Sequence, residues 1–407
     1  MKKHKLLILG TFAMDTFDAE LIHFSSIIKG LKHLGNNVSV FHLSLQNKPA
    51  ITQLFPPDID FHEIFVSSQT NSGMFIKGVL LTPKFLCFLA IHRPEILYAR
   101  LGIVSGMYVI ATKLLFGKKI KIITEHNGWI GPEALSSGKP KFLAFIGKQI
   151  QKWSAIFSDR VRAVSEGVQS YLISLGAPPE RIVVIGNGTD ASHFKPLDRK
   201  SMYDIGFVGN LATWQGIDWL IEAFALVVRE KPEATLAIAG SGPQEQSIKA
   251  HIDSLQLGDH ISLLGNIPYK EVPNVINSYK ICVAPFKPRG TGADNKALSP
   301  LKIRDYAACG KPIIASDIPG LEEIGREGFG ILVQPGDINA LANATLELLN
   351  NPELCHTMGQ KARMYAEHHY SWDNVTTQIS NQIERIVAEK NCNPDRTSFY
   401  SGKGSDR

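Results

Sequence analysis

The cysteines of this 407-residue chain are few: five, scattered, odd in number, with no CxxC pair among them. That pattern excludes a disulfide framework and a zinc ribbon, and it fits a reducing compartment. Long apolar runs are missing too, and none reaches the roughly 20 residues that a membrane-spanning helix needs. The start, MKKHKLLILG, superficially resembles a signal peptide, but its apolar run is short and no small-residue cleavage site follows. A first strand explains it better. No repeat of solenoid period appears, which excludes a stacked-repeat architecture. With 44% hydrophobic and 20% charged residues, the composition is that of an ordinary soluble globular protein and not of a disordered one.

Acidic residues are scarce in the first half. Residues 1–185 hold 21 Lys and Arg against 12 Asp and Glu, a net charge of +9, while the remainder holds 22 against 26, a net of −4. The asymmetry turns only the first half toward an anionic partner or surface, or else reflects uneven solvation alone. No nucleic-acid-binding motif accompanies the charge, so a nucleic-acid partner is not expected.

What is present is an alternation of strands and helices, which implies an α/β chain with parallel sheets covered on both faces. The length calls for two domains. Strands are expected at Lys5–Leu9, Val38–His42, Phe61–Phe65, Ile96–Ala99, Ile120–Thr124, Arg160–Val164 and Arg181–Ile185. Between them, helices are expected at Glu20–Leu34, Phe75–Ile91 (interrupted by Pro83), Ser105–Phe116, Lys141–Phe157 and Glu166–Leu175. The polar stretch Phe194–Lys200 loses periodicity and is read as a linker. A second series follows, with strands at Ile205–Val208, Thr235–Ala239, Ile261–Leu264, Ile281–Ala284, Ile313–Ala315 and Ile331–Val333. Helices are expected at Ile217–Arg229, Ala340–Leu349, Glu353–His368 and Val375–Ala388. The division is therefore 1–195 for a first Rossmann-like domain, 196–370 for a second, and 371–390 for a closing helix. The polar, Gly/Ser-rich end, 391–407, is expected to be disordered. In such sheets ligands bind beyond the carboxyl ends of the strands. Five loops meet that criterion: Gly10–Asp18, Glu125–Gly131, Gly186–Asp190, Gly209–Gly216 and Phe286–Asp305.

The last of these leads into SPLKIRDYAACGKPIIAS, Ser299 to Ser316. Ser299 has the chemistry of an N-cap, Pro300 suits the first helical position, and Gly310 suits a left-handed C-terminal residue about three turns on. Lys302 and Arg304 then lie in the first turns, where the macrodipole disfavours cations, and Lys302 at the third position closes no capping box. Free amides, a dipole and a lysine make an anion site, most simply for a phosphate; the alternative is a solvated helix start with two surface cations. The helix Lys141–Phe157 interleaves Lys with Phe, Ile and Trp. It reads either as an interfacial helix on anionic lipid or as a core-facing helix with a basic outer face. Cys309 is expected to be a small core residue. Asn187-Gly188 is a common turn pair, and Trp214 suits either stacking on a ligand or packing under its loop.

From about Ser158 to Gly330 the ordered motifs resemble the family 4 glycosyltransferases: FSDRVRAVSEGVQSYLISLGAPPERIVVIGNGTDASHFKP, FVGNLATWQGIDWLIEAF, AGSGP and SPLKIRDYAACGKPIIAS. The resemblance implies a GT-B fold: an acceptor domain, a donor domain, and a last helix crossing back. It implies retaining transfer of a hexose or hexosamine from a UDP- or GDP-sugar to a lipid-linked or surface-glycan acceptor, as in lipopolysaccharide or other polysaccharide biosynthesis. No cofactor other than that co-substrate is implied, and no metal. Where the family carries an Arg and a Lys for the donor diphosphate, this chain has Asn210 and Gln215, and the family's paired glutamates correspond to Ala297 and Asp305. Lys302, with Arg289 or Lys296, is expected to supply the missing cation, and Asp305 to bind the ribose hydroxyls. The donor site implied is Gly209, Asn210, Gln215, Gly216, Gly240, Arg289, Pro300, Leu301, Lys302 and Asp305. Lys302 and His126 are the catalytic candidates, and Asn127 and Asp15 face the acceptor. Asp18 reads better as a helix cap, since TFAMDTFDAE has neither glycine of the family's usual pair there. Such an enzyme is cytoplasmic, peripheral on the inner face of the plasma membrane where its basic domain meets anionic lipid. Two other readings stand beside it: a nucleotide-sugar epimerase of the same fold and, given Asn210, Gln215 and Ala297 in place of charged family residues, a degenerate binding or scaffold subunit without nucleotide affinity.

Overall fold

The computed structural model describes residues 3–11, 19–44, 55–65, 71–136, 140–288 and 300–391. The first half comprises β1 (Lys5–Thr11), α1 (Ala19–His33), β2 (Asn37–Ser44), β3 (Asp60–Phe65), α2 (Asn71–Leu80), α3 (Thr82–His92), β4 (Ile96–Arg100), α4 (Ile103–Phe116), β5 (Lys121–His126), α5 (Ile130–Ser136), α6 (Lys141–Phe157), β6 (Arg160–Ala163), α7 (Glu166–Ser174) and β7 (Ile182–Val184). The second comprises β8 (Tyr203–Val208), α8 (Ile217–Glu230), β9 (Leu236–Ala239), α9 (Glu245–Ser254), β10 (Ile261–Gly265), α10 (Val272–Asn277), β11 (Tyr279–Ala284), α11 (Leu301–Ala308), β12 (Ile313–Ser316), α12 (Glu322–Arg326), β13 (Gly330–Val333), α13 (Ile338–Asn350), α14 (Pro352–Tyr365) and α15 (Trp372–Asn391).

Two all-parallel sheets result, ordered β3-β2-β1-β4-β5-β6-β7 and β10-β9-β8-β11-β12-β13. Their strands bury side chains on both faces: Leu6 and Ile8 enter one core of the first sheet, Leu7 and Leu9 the other. This is why near-continuous apolar runs read as strands. In both sheets the order reverses beside the first strand, β1/β4 and β8/β11, and a crevice opens beyond the carboxyl ends at each reversal. The chain end completes the first core. Val375, Ile379, Ile383 and Ile386 of α15 pack with Leu6, Ile8 and the α1 side chains. Gly30 of α1 admits this approach, since a Cβ there would stand 2.4 Å from the Thr376 side chain. The turn after the first sheet is tied to the same crossing: the Thr189 amide donates to the Tyr370 carbonyl (2.7 Å) and Trp372 donates back to Thr189 (3.2 Å).

Four local expectations are corrected. The helix expected over Phe75–Ile91 is two helices, because Pro83 lies in the first turn of α3, where its missing N–H costs nothing, and so starts a helix instead of interrupting one. The helix expected to Ala-Glu-His at 366–368 ends at Tyr365 and passes into a π-turn over Ala366–Tyr370. Helix α5 was not expected, and its first two residues, Ile130 and Gly131, fall in the stretch Glu125–Gly131 read as loop. Helix α11 begins one residue late and has eight residues, not three turns: Pro300 is the N-cap, with no side-chain cap, and Lys302 is second, with Ile303 third. The capping box is still absent. Its end is as expected, with Gly310 at φ +67 and the Lys311 amide donating to the Tyr306 carbonyl at 3.1 Å. Ser299 and the segment 392–407 lie outside the described residues.

At the end of β9, Gly240 has φ +138, and a Cβ there would stand 1.8 Å from the Gly209 carbonyl oxygen at the end of β8. Both the backbone conformation and the contact demand glycine. Gly240→Ala is expected to destabilise the native state by about 2–4 kcal/mol, read as a lowered thermal midpoint. A midpoint equal to wild type would show that the two loops are free to separate.

Candidate functional site

A cavity of about 1140 Å³ lies between the carboxyl ends of the two sheets. The first sheet contributes Arg100, His126, Asn127 and Gly128 to its wall, and the connecting turn contributes Asn187, Gly188 and Thr189. The second contributes Gly209, Asn210, Trp214, Gln215, Gly240, Tyr269, Pro300, Leu301, Lys302 and Asp305.

Beneath the first wall three charges stand in a row across adjacent strands. Arg100, Glu125 and Arg162 are register partners on β4, β5 and β6. Glu125 has no exposure and is 2.6 Å from Arg162 Nη1, 2.8 Å from His23 Nε2 and 3.8 Å from Arg100 Nε. Tyr98 also donates its hydroxyl to it. Burial alone would raise the Glu125 carboxyl; His23, Arg162 and Arg100 together overcome it and hold it well below the usual carboxylate range. Burial keeps His23 below its ordinary value against the pull of Glu125. The Glu125–Arg162 pair positions two loops. Asn127 donates to Glu125 Oε1 (2.6 Å), and Arg162 donates to the carbonyls of Ile185 (3.0 Å) and Gly186 (2.7 Å). Gly188 is fixed by packing, a Cβ there falling 2.7 Å from the Trp372 ring.

His126, at the end of β5, is buried, with Nε2 3.1 Å from Thr124 Oγ1 and Nδ1 3.4 Å from Gln151 Nε2. Burial pushes its pKa down to about 3, so near neutral pH it is an uncharged imidazole that exchanges hydrogen bonds and carries no charge. Gln151 of α6 reaches under the same loop, donating to the Gly128 carbonyl (2.8 Å) and accepting from the Ile130 amide (3.0 Å).

On the opposite wall Lys302 projects from the start of α11. Its Nζ donates to Gln215 Oε1 (2.7 Å) and lies 3.7 Å from the Phe207 ring centre. No carboxylate among the described residues lies within ion-pair distance of it. Burial holds its pKa well below the usual lysine value. Asp305, one turn on, accepts from Thr189 Oγ1 (2.6 Å), and burial pushes its carboxyl up to about 7. Trp214 both lines the cavity and stacks on Phe286 at 5.8 Å.

Ten of the candidates named from the sequence line this cavity: His126 and Asn127 on the first wall, and Gly209, Asn210, Gln215, Gly240, Pro300, Leu301, Lys302 and Asp305 on the second. Gly216 does not; at φ +68 and 1.8 Å from the Pro285 carbonyl for any Cβ, it is the N-terminal cap of α8. Arg304 turns away from the cavity, donating to the Pro300 carbonyl (3.1 Å) with its guanidinium 4.7 Å from the Tyr370 ring centre. Asp15, Asp18, Arg289, Lys296 and Ala297 lie outside the described residues. Cys309 is buried at the end of α11 as expected. Sequence reasoning missed Arg100, Glu125 as a buried anion, Gln151, Arg162 and Tyr269. The available signal was a charge set beside apolar residues in each strand: Arg100 in ILYAR, Glu125 in KIITEH and Arg162 in RVRA. Asp60, His62 and His92 bring metal-ligating atoms within 4.8 Å of one another, but at the edge of the first sheet and off the cavity wall.

Two family models tile the chain. "Glycosyltransferase Family 4" matches residues 22–193, and "Glycosyl transferases group 1" matches residues 188–365. The GDP-mannose-dependent monoacylated alpha-(1-6)-phosphatidylinositol monomannoside mannosyltransferase of Corynebacterium glutamicum is 28% identical over 170 residues, 42% of this chain and 44% of that one. The match thus spans less than half of that relative. The N-acetyl-alpha-D-glucosaminyl L-malate synthase of Bacillus anthracis is 23% identical over 85% of this chain and 89% of its own. Among solved structures, the sucrose-phosphate synthase of Thermosynechococcus elongatus superposes with a TM-score of 0.77 at 19% identity, covering 95% of this chain and 100% of that one.

Arg162→Leu strands the Glu125 charge in the sheet and is expected to cost about 3–5 kcal/mol, with the Glu125→Gln, Arg162→Leu double variant recovering much of it. Urea unfolding of the three proteins checks this; a double variant no better than the single one refutes the coupling. Asp305 gives a pH signature. With its native carboxyl near 7 and an unfolded value of about 3.9, the native state holds a proton that the unfolded chain has lost, so stability falls as pH rises through that window. Asp305→Asn removes this decline, and its thermal midpoint relative to wild type is expected to be higher at pH 8 than at pH 5.

Proposed function

The chain belongs to glycosyltransferase family 4, and from that premise we propose that it transfers a hexose or hexosamine from a UDP- or GDP-sugar to a lipid-linked or glycan acceptor, with retention at the anomeric carbon. The carrying observation is the Lys302 ammonium: it lines the cavity, and its partners among the described residues are the neutral Gln215 oxygen and the Phe207 and Phe286 rings, with no carboxylate. A cation held without a counter-ion where burial disfavours its charge is a site waiting for an anion, and the uncapped amides at the start of α11 add to it. The donor's diphosphate supplies that anion. A Cβ on Gly209 would stand 2.5 Å from Lys302 Nζ, so the glycine leaves the ammonium its place at the strand end.

In the proposed reaction the bond from C1 of the sugar to the diphosphate oxygen breaks while the acceptor oxygen bonds C1 on the same face. The acceptor's proton passes to the departing phosphate, so no protein nucleophile is needed. Lys302 and the α11 amides stabilise the charge that develops on the leaving group. Asp305, once ionised, accepts from ribose hydroxyls, and the neutral His126 hydrogen-bonds the sugar from the opposite wall. The relative from Corynebacterium glutamicum, a GDP-mannose-dependent enzyme for a phosphatidylinositol monomannoside, supports a nucleotide donor and a lipid-borne acceptor.

Thermal-shift titration with UDP, GDP and their sugars tests the proposal. A ligand at 100 times its dissociation constant stabilises the native state by about 2.7 kcal/mol. One nucleotide is expected to give this shift in wild type and none in Lys302→Met. The ligand-free variant is expected to stay within about 1 kcal/mol of wild type or above it, since the substitution removes a desolvated charge and one hydrogen bond. No shift with any nucleotide would favour a scaffold, and release of epimer or free nucleotide without acceptor would favour an epimerase.

A further inference from the structure

We infer that Asp60 and His62 of β3, together with His92 at the end of α3, bind one Zn²⁺ ion that staples the edge strand of the first sheet to that helix. The inference goes beyond sugar transfer: these residues lie off the cavity wall, and no step of the transfer proposed above runs through them. Asp60 and His62 are two residues apart on a strand, so their side chains share one face of the sheet. β3 is the outermost strand, and His92, the last residue of α3, meets the pair there. One ligand atom from each of the three lies within 4.8 Å of the other two. Asp60 Oδ1 is 2.7 Å from His62 Nε2, and Asp60 Oδ2 is 4.0 Å from His92 Nε2. Zinc holds imidazole nitrogens and carboxylate oxygens at about 2.0–2.2 Å in a tetrahedron, which sets its ligands roughly 3.4 Å apart. The observed separations fall on either side of that value.

Two further observations point to a metal and away from a plain ion pair. His62 Nε2 is a buried atom without a hydrogen-bond partner among the described residues, because the Asp60 oxygen, though close, stands off the direction in which the ring could donate. A buried ring nitrogen left in this way costs free energy unless something else meets it. His92 is set in the complementary way. Its Nδ1 lies 3.0 Å from the Phe88 carbonyl, an acceptor, so Nδ1 carries the hydrogen and Nε2 keeps a lone pair on the side of Asp60. A zinc-bound histidine has this same tautomer, held by this same outer hydrogen bond. Phe88 orients both rings, stacking on His92 with centroids 3.8 Å apart and meeting His62 edge-on at 4.6 Å. Two imidazoles and one carboxylate favour a transition ion such as Zn²⁺ over Mg²⁺ and Ca²⁺, which take oxygen ligands. Asp60 is half exposed, so water has access to the fourth position. The Lys5 ammonium donates to the His92 carbonyl and ties the end of α3 to β1; zinc adds the tie to β3. An edge strand has a neighbour on one side only, and a cross-link there holds it in register.

The test titrates the full chain, stripped of metal by a chelator and dialysed, with Zn²⁺ in competition with a chromophoric chelator, and separately with Co²⁺. One equivalent of zinc is expected to bind and to raise the thermal midpoint. Cobalt is expected to give the strong visible absorption of a tetrahedral site, which added zinc abolishes. His62→Gln with His92→Gln is expected to lower zinc affinity by about 100-fold or more, and Asp60→Asn by about tenfold or more. Asp60 is exposed, so the second variant decides the matter should the first fail to fold. His356→Gln, an exposed histidine of α14, is expected to bind zinc as wild type does. Failure to bind one equivalent, a faint octahedral cobalt spectrum, or wild-type affinity in Asp60→Asn or in the folded double variant overturns the inference. The nucleotide-induced shift is expected to be the same with and without zinc and in every one of these variants. Failure of the donor proposal and failure of this one are therefore separate results.

Discussion

A carboxylate with no access to water lies under the cleft, and the first half of the site depends on how it is held. Glu125 is tolerated because the parallel register sets it directly between Arg100 and Arg162 on the flanking strands. A shift of one residue along any of these strands would turn a charge to the other face of the sheet and leave the carboxylate unpaired. The pairing therefore fixes register, and through register the loops. The second Glu125 oxygen takes the Asn127 amide, while the other Arg162 donors take the carbonyls of Ile185 and Gly186. Two cleft-lining turns, far apart in sequence, are thus held by one buried pair.

The second half of the site is built on the opposite plan. There no carboxylate among the described residues pairs with the charge: Lys302 meets an amide oxygen and the Phe207 ring, and the nearby Asp305 carboxyl is raised by burial while its oxygen accepts from Thr189. The first wall uses its charges for architecture, whereas Lys302 of the second lines the cavity without such a partner among the described residues. Gln215 fits this division. An uncharged side chain at that position orients the Lys302 ammonium without neutralising it, which a carboxylate would do and a second lysine would oppose. Thr189 joins the two walls, since its hydroxyl reaches Asp305 and its backbone pairs with the crossing segment that leads into α15.

Much of this fold was legible because a parallel sheet covered on both faces demands unbroken apolar runs, and LLIL, ILYA and LAIA are such runs. Helix α6 was readable to its ends, as its apolar and basic faces repeat with helical period from Lys141 to Phe157. Gly310 announced the end of α11, but its start was displaced by one residue, because Pro300 fits both the cap and the first turn. The lower wall of the site was legible where a motif is continuous in sequence, as with Gly209 to Gln215. The Arg100–Glu125–Arg162 row was not. Its members lie 25 and 37 residues apart, and only strand order and register make them neighbours. Composition along a strand does not carry that information.

Helix α6 connects the inner and outer surfaces of the first domain. Its buried side sends Gln151 under the His126–Ile130 loop, and its small Gly147 lets that loop's helix come close. Its exposed side carries Phe145, Lys148 and Trp153. One rigid element of seventeen residues therefore links the support of the cleft's first wall to the outer face of the domain. The distance between the two is set by the packing of α5 on α6, where Gly131 and Gly147 allow close approach, and not by a flexible tether.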